Sequence, residues 1–178
     1  MDVYIRPMTY ADIPSVLQLE AEAFPQDPPT DLNKELGNRL ASYLVACCTE
    51  QNGLISEELI IGYCGAWLVI DEAHLLSIAV KEDYRGRGIG ELLLISALED
   101  VIGRGAQTMF LEVRMSNTPA RALYEKYGFA RLGIRRGYYQ DNNEDAVVMA
   151  ADDINDLSFK NNLVLKKNQI IDKLRLKL

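Results

Sequence analysis

The chain predicts an α+β domain: a mixed, mostly antiparallel β-sheet of about seven strands flanked by about four helices, with an extra C-terminal helix. Three observations lead there. Short runs with two-residue apolar alternation outnumber the helical ones. The runs follow in the order β-α-α-β-β-β-α-β-α-β-β. A glycine-rich junction after Val80 sends a long helix between two strands, and strands joined that way lie parallel.

Val3 to Met8 alternates as a first strand. Thr9 and Asp12 then make a capping-box-like start to a helix with Ile13, Val16 and Leu17 at helical spacing through about Ala23, Pro14 falling in the tolerated first turn. Pro25, Pro28 and Pro29 make the next stretch a loop, after which Thr30 or Asp31 caps a short helix to about Leu40. Tyr43 to Thr49 reads as a strand, Glu50 to Glu58 as a hairpin turn around Asn52-Gly53, and Leu59 to Val69 as a strand whose Gly62 and Gly65 signal a bend or a close backbone approach. Ala73 to Val80 is the next strand. Leu94, Ala97, Leu98 and Val101 give the long helix its apolar face, ending near Gly103 to Gly105. Gln107 to Arg114 is a strand; Thr118 and Pro119 open a helix as cap and first residue, and Gly128 stops it. Phe129 to Arg135 and Ala146 to Ala150 complete the sheet. Beyond Asp153, Asn161-Asn162 breaks the pattern, and Leu163 to Leu178 reads as a basic amphipathic helix that docks on the domain or on a second copy, which would make a homodimer.

Composition narrows the function. The 178 residues make one domain with an appendage, and 48% apolar with 25% charged residues is ordinary for a soluble globule. A net charge of -7 argues against a nucleic-acid binder, which normally presents a basic face. No run approaches about 18 apolar residues and the N-terminus lacks a signal-peptide layout, so no membrane partner and a cytoplasmic location are expected. Cys47, Cys48 and Cys64 have no metal spacing and read as small buried thiols; His74, with no partner in view, reads as a strand-edge residue, and no metal is expected.

The chemistry centres on Arg85-Gly86-Arg87-Gly88-Ile89-Gly90. Glycines at every second position before a helix let main-chain N–H groups converge where the helix N-terminus adds about half a positive charge, a site for a pyrophosphate. Neither familiar phosphate loop fits: a P-loop needs Lys after its last glycine, and the dinucleotide fingerprint needs a third glycine where Glu91 stands. A second centre is Glu112, a charge inside the apolar strand Met109-Phe-Leu-Glu-Val-Arg114, costly unless used or paired; its competing role is a pair with Arg114 on the same face.

This Arg-x-x-Gly-x-Gly loop, in its strand-to-helix setting, resembles that of the Gcn5-related N-acetyltransferases, and the element order matches theirs over about residues 2 to 151. Residues 1–152 then form an acetyltransferase domain and 153–178 an extension. Leu111-Glu-Val-Arg114 followed by Ser116-Asn117 is similar to a segment of the bacterial ribosomal-protein alanine N-acetyltransferases. The resemblance implies acetyl-CoA as cosubstrate, held by Arg85 to Gly90, by the main chain of Ile78, Ala79 and Val80 where two strands splay, and by Asn117. It implies Glu112 as general base, Tyr124 as the acid that protonates the thiolate, and Val80 N–H as the oxyanion donor. The segment through Tyr138 and Tyr139 resembles one wall of a peptide groove, with Phe24 and Pro25 on the other; there Asp27-Pro28-Pro29 departs from the family's aromatic residue. The expected partner is a protein N-terminus, most specifically the N-terminal alanine of a small-subunit ribosomal protein. An acetyltransferase for a small amine and an idle acyl-CoA-binding module remain the alternatives.

Overall fold

The computed structural model describes residues 3–52 and 55–177. Strands β1 (Val3–Pro7), β2 (Ala41–Asn52), β3 (Ile55–Val69), β4 (Glu72–Val80), β5 (Thr108–Arg114), β6 (Ala130–Tyr139) and β7 (Glu144–Ala151) form one sheet in the order β1-β2-β3-β4-β5-β7-β6. Every pairing is antiparallel except β4 with β5, which α3 (Ile89–Gly103) joins as the parallel crossover.

Helices α1 (Ile13–Ala23) and α2 (Leu32–Leu36) cover one face of the sheet; α3, α4 (Thr118–Lys126) and α5 (Leu157–Lys177) cover the other. Alternation along β2 supplies both cores: Tyr43, Val45 and Cys47 pack toward α1, and Leu44, Ala46 and Cys48 toward α3. Cys47, Cys48 and Cys64 are buried thiols outside any disulfide, and burial pushes the Cys47 thiol up to about 11 and the Cys64 thiol up to about 12. Gly65 is required by the close approach of the Tyr43 ring, which stands where a Cβ would go.

Several boundaries differ from those the sequence suggests. Ladder pairing between β2 and β3 runs out to Asn52 opposite Ile55, so most of the expected Glu50 to Glu58 turn is strand; Gly53, at the predicted turn, lies outside the described residues. Helix α2 stops at Leu36 because Gly37 and Asn38 turn the chain, with Asn38 Oδ1 accepting from Leu40 N–H. The cap of α4 is Asn117, whose Oδ1 accepts from Ala120 N–H, rather than Thr118. Helix α5 runs unbroken through Asn161-Asn162: both are exposed, and asparagine inside a helix costs under about 1 kcal/mol, less than the burial of Leu163, Ile170 and Leu174 returns. It docks on the domain, against α3 of the same chain. That explains why α3 buries Ile89, Leu92, Leu93 and Ile95 as well as the expected stripe: it is covered on two sides.

The start of α1 holds a half-buried ion pair. A single 3-10 turn, Tyr10–Asp12, precedes the helix; Asp12 accepts from Thr9 N–H at 2.7 Å and from Arg6 at 2.7 and 2.9 Å. The Arg6 guanidinium, then the Thr9 donors, hold the Asp12 carboxyl at about 2, against 3.8 for a free aspartate. A depressed carboxylate pKa stabilises the fold above the unfolded-state value and loses that contribution as pH falls toward the folded one. Asp12→Asn should therefore cost about 2 kcal/mol at pH 5, about 0.4 kcal/mol at pH 2 and nothing by about pH 1, measured as the gap between the two proteins' urea midpoints across that window.

Candidate active site

The site lies where β4 and β5 part. Their pairing runs only from Glu72–Thr108 to Leu75–Leu111, after which β5 stays with β7 while β4 stays with β3, and β4 carries a bulge at Leu76. Lys81 N–H bonds Ile61 O on the β3 side. By strand alternation the N–H groups of Val80 and Ile78 face the opposite way, into the gap, and Val80 O does so too, accepting from Arg85 Nε at 3.0 Å. The gap opens into a cavity of about 350 Å³ lined by, among others, Phe24, Ile78, Glu112, Asn117, Tyr124 and Tyr139.

At one end stands the glycine loop. Gly86 (φ 72°) and Gly88 (φ 103°) adopt left-handed backbone that glycine alone takes without strain, and Gly88 is the N-cap of α3, so the unpaired N–H groups of the first helical turn point outward from the loop. Arg87 Nη2 donates to Asp83 O at 2.9 Å, and its guanidinium lies 5.2 Å from the Tyr84 ring centre. This donor set, main-chain amides with two arginines and a helix N-terminus, fits a pyrophosphate. The side chains of Ile89 and Ala79 are buried in the two cores, so only their main chain can serve a ligand.

Glu112 sits on β5 with its side chain 10% exposed. Its expected competing partner is engaged elsewhere: Arg114 pairs with Asp141 at 3.1 Å and Glu144 at 3.3 Å, and stacks 3.9 Å over the Tyr139 ring. Glu112 is held instead by His74 Nε2 at 2.6 Å on one oxygen and Arg135 Nη2 at 3.2 Å on the other. His74 is thus no partnerless edge residue. It lies opposite Phe110 in the parallel register, beside the position two residues further along β5. No signal in the linear sequence brings His74, Glu112 and Arg135 together, because three strand registers must be known first.

Tyr124, on α4, is 5% exposed and tilted against Phe129 at 5.8 Å. Burial pushes its phenol well above the usual range, so it holds its proton. Of the expected peptide-groove residues, Phe24 and Tyr139 line the cavity, and burial pushes the Tyr139 phenol up to about 12. Tyr138 stands edge-on to Tyr139 at 5.1 Å and turns toward Arg135; Pro25 lines an adjoining hollow of about 290 Å³ with Phe24, Asp27, Asp141 and Glu144. The proline loop is anchored by buried Glu20, which accepts from Thr30 N–H at 2.9 Å and Tyr63 O–H at 3.1 Å and which the sequence reading passed over. Across the hollow, Glu144 is held at about 2 by the hydroxyl and N–H of Ser116. Among the described residues no group of three or more His, Cys, Asp or Glu is placed to hold a metal ion, and no helix is long and apolar enough to cross a membrane.

Known proteins resemble this chain in sequence and in fold. A Bacillus subtilis protein provisionally named as a ribosomal protein bS18-alanine N-acetyltransferase is 42% identical over 147 residues, 82% of this chain and 92% of its own. The ribosomal protein bS18-alanine N-acetyltransferase of Escherichia coli K12 is 37% identical over 150 residues, 82% of this chain and 95% of its own. A crystal structure of the ribosomal-protein-S18-alanine N-acetyltransferase from Escherichia coli superposes with a TM-score of 0.70 at 32% identity, over 85% of this chain and 94% of that one. The model of the acetyltransferase (GNAT) family matches residues 13–129, the span that holds the split strands, the glycine loop, Glu112 and Tyr124. The chain therefore belongs to the GNAT family of acetyltransferases, enzymes that use acetyl-CoA.

Proposed function

We propose that the protein acetylates the N-terminal alanine of ribosomal protein bS18 in the cytosol, by direct transfer from acetyl-CoA. The observation that carries the reading is the pairing of Glu112 and Tyr124 in one cavity whose outer walls are the Phe24 loop and Tyr139, a shape open to the end of a chain. The names of relatives that are nearly fully covered supply the substrate.

Acetyl-CoA brings an activated acyl carbon and a thiolate leaving group. The chain does the rest. Loop amides 86–90 with Arg85 and Arg87 hold the pyrophosphate, Asn117 helps seat the pantetheine arm, and Val80 N–H, aimed into the gap, stabilises the developing oxyanion. Glu112 takes the amine proton: its oxygens each have one partner, and a carboxylate oxygen accepts two bonds, so a lone pair remains for the amine or an intervening water. Tyr124 gives its proton to the departing sulfur. An α-amine has a pKa near 7.7 to 8.0, against about 10.4 for lysine, so a tenth or more is neutral at cytosolic pH and a carboxylate base suffices.

The test is thiol release from acetyl-CoA with three amines: a peptide carrying the bS18 N-terminus with its free alanine, the same peptide N-blocked with a free lysine, and spermidine. Turnover on the first alone is expected, with kcat/KM rising to about pH 8 as the amine deprotonates. Equal or better turnover on spermidine would make the protein a small-amine acetyltransferase. Acetyl-CoA binding without turnover on any amine would make it an idle module.

A further inference from the structure

The C-terminal helix reaches the cofactor side of the site. Ile170 of α5 is 4% exposed and packs directly on Gly88: its Cδ1 lies 2.6 Å, and its Cγ1 3.1 Å, from where a Cβ on Gly88 would stand. One turn earlier, Lys166 Nζ donates to Lys126 O at the end of α4, the helix of Asn117 and Tyr124, and lies 4.7 Å over the Tyr127 ring. Lys167 pairs with Glu99 on α3 at 2.6 Å, and Phe159 packs beside Gly128, which ends α4. So α5 touches both elements that bracket the cosubstrate, at the residue that turns the glycine loop and at the foot of the acid's helix. The match to the acetyltransferase family model ends at residue 129, before α5 begins.

We propose that α5 fixes the glycine loop in its ligand-ready shape, with Ile170 as a positioning residue for acetyl-CoA. This rests on the reading of residues 85–90 as the pyrophosphate site. A side chain seated against a glycine leaves that loop no room to collapse toward α5, so its amides stay aimed outward before the ligand arrives. Ile170 itself touches no ligand and takes no part in the chemistry.

Ile170→Val removes Cδ1, the atom nearest Gly88, and leaves the rest of the helix in place. It should weaken acetyl-CoA binding about fivefold by calorimetry, and raise the KM for acetyl-CoA in step, with kcat at saturation within about twofold of the parent. Ile170→Leu, of equal volume, should restore most of the affinity. Leu174→Ala, one turn beyond and equally buried, should lower the melting temperature without moving the acetyl-CoA Kd. An unchanged Kd in Ile170→Val, or equal weakening in Leu174→Ala, would reduce α5 to a stabilising appendage. Arg85→Ala/Arg87→Ala separates the two readings: if the arginine pair weakens binding while Ile170→Val does not, the positioning idea alone fails, and if neither does, the loop is not the pyrophosphate site.

Discussion

Glu112→Gln should lower kcat about 10²-fold or more at neutral pH while leaving the acetyl-CoA Kd nearly intact. The amide has the carboxylate's shape but no affinity for the amine proton, so what is lost is acceptance of that proton in the transition state. The substitution also places a donor NH2 against either His74 or Arg135, both donors toward this position, so the melting temperature must be recorded beside the rate. A loss of turnover in a folded protein that still binds acetyl-CoA supports the base. Unchanged turnover would return Glu112 to an ion-pair role between β4 and β6.

Tyr124→Phe should also cost about 10² in kcat, for the complementary reason. The ring is buried against Phe129, and the phenylalanine keeps that packing, so stability should hold. What goes is a proton that the buried phenol retains at any working pH. The signature is dependence on the leaving group. An acetyl thioester of a more acidic thiol needs less help to depart, so it should recover the variant more than the parent; an identical deficit with both donors would leave Tyr124 as core alone.

The elements were legible because their periodicities are strong: the alternation in β5, the capping pair Thr9 and Asp12, and the glycines before α3 each act over a few residues. The catalytic candidates Glu112 and Tyr124 were legible by the cost of a charge in an apolar strand and by motif. What surrounds them was not. His74 meets Glu112 through the parallel register of β4 and β5, and Arg135 meets it across β7, relations that no spacing along the chain encodes. For the same reason the competing pair of Glu112 with Arg114, two residues along, could not be weighed from spacing: the Asp141 and Glu144 that claim Arg114 sit on a distant hairpin. The length of α5 was missed because two asparagines weigh heavily in a local pattern and lightly against a buried interface.

The short seam between β4 and β5 has a kinetic meaning. Four register positions join a four-stranded leaf, β1 to β4, to a three-stranded leaf, β5 to β7, and beyond them the sheet is a wedge open along its length. The glycine loop and α3 belong to one face of that wedge, and the Phe24 loop and α1 to the other. Two reactants can thus enter by separate doors and occupy the apex at the same time, neither having to leave before the other arrives. Such a geometry favours a ternary complex over a shuttle through an acylated side chain.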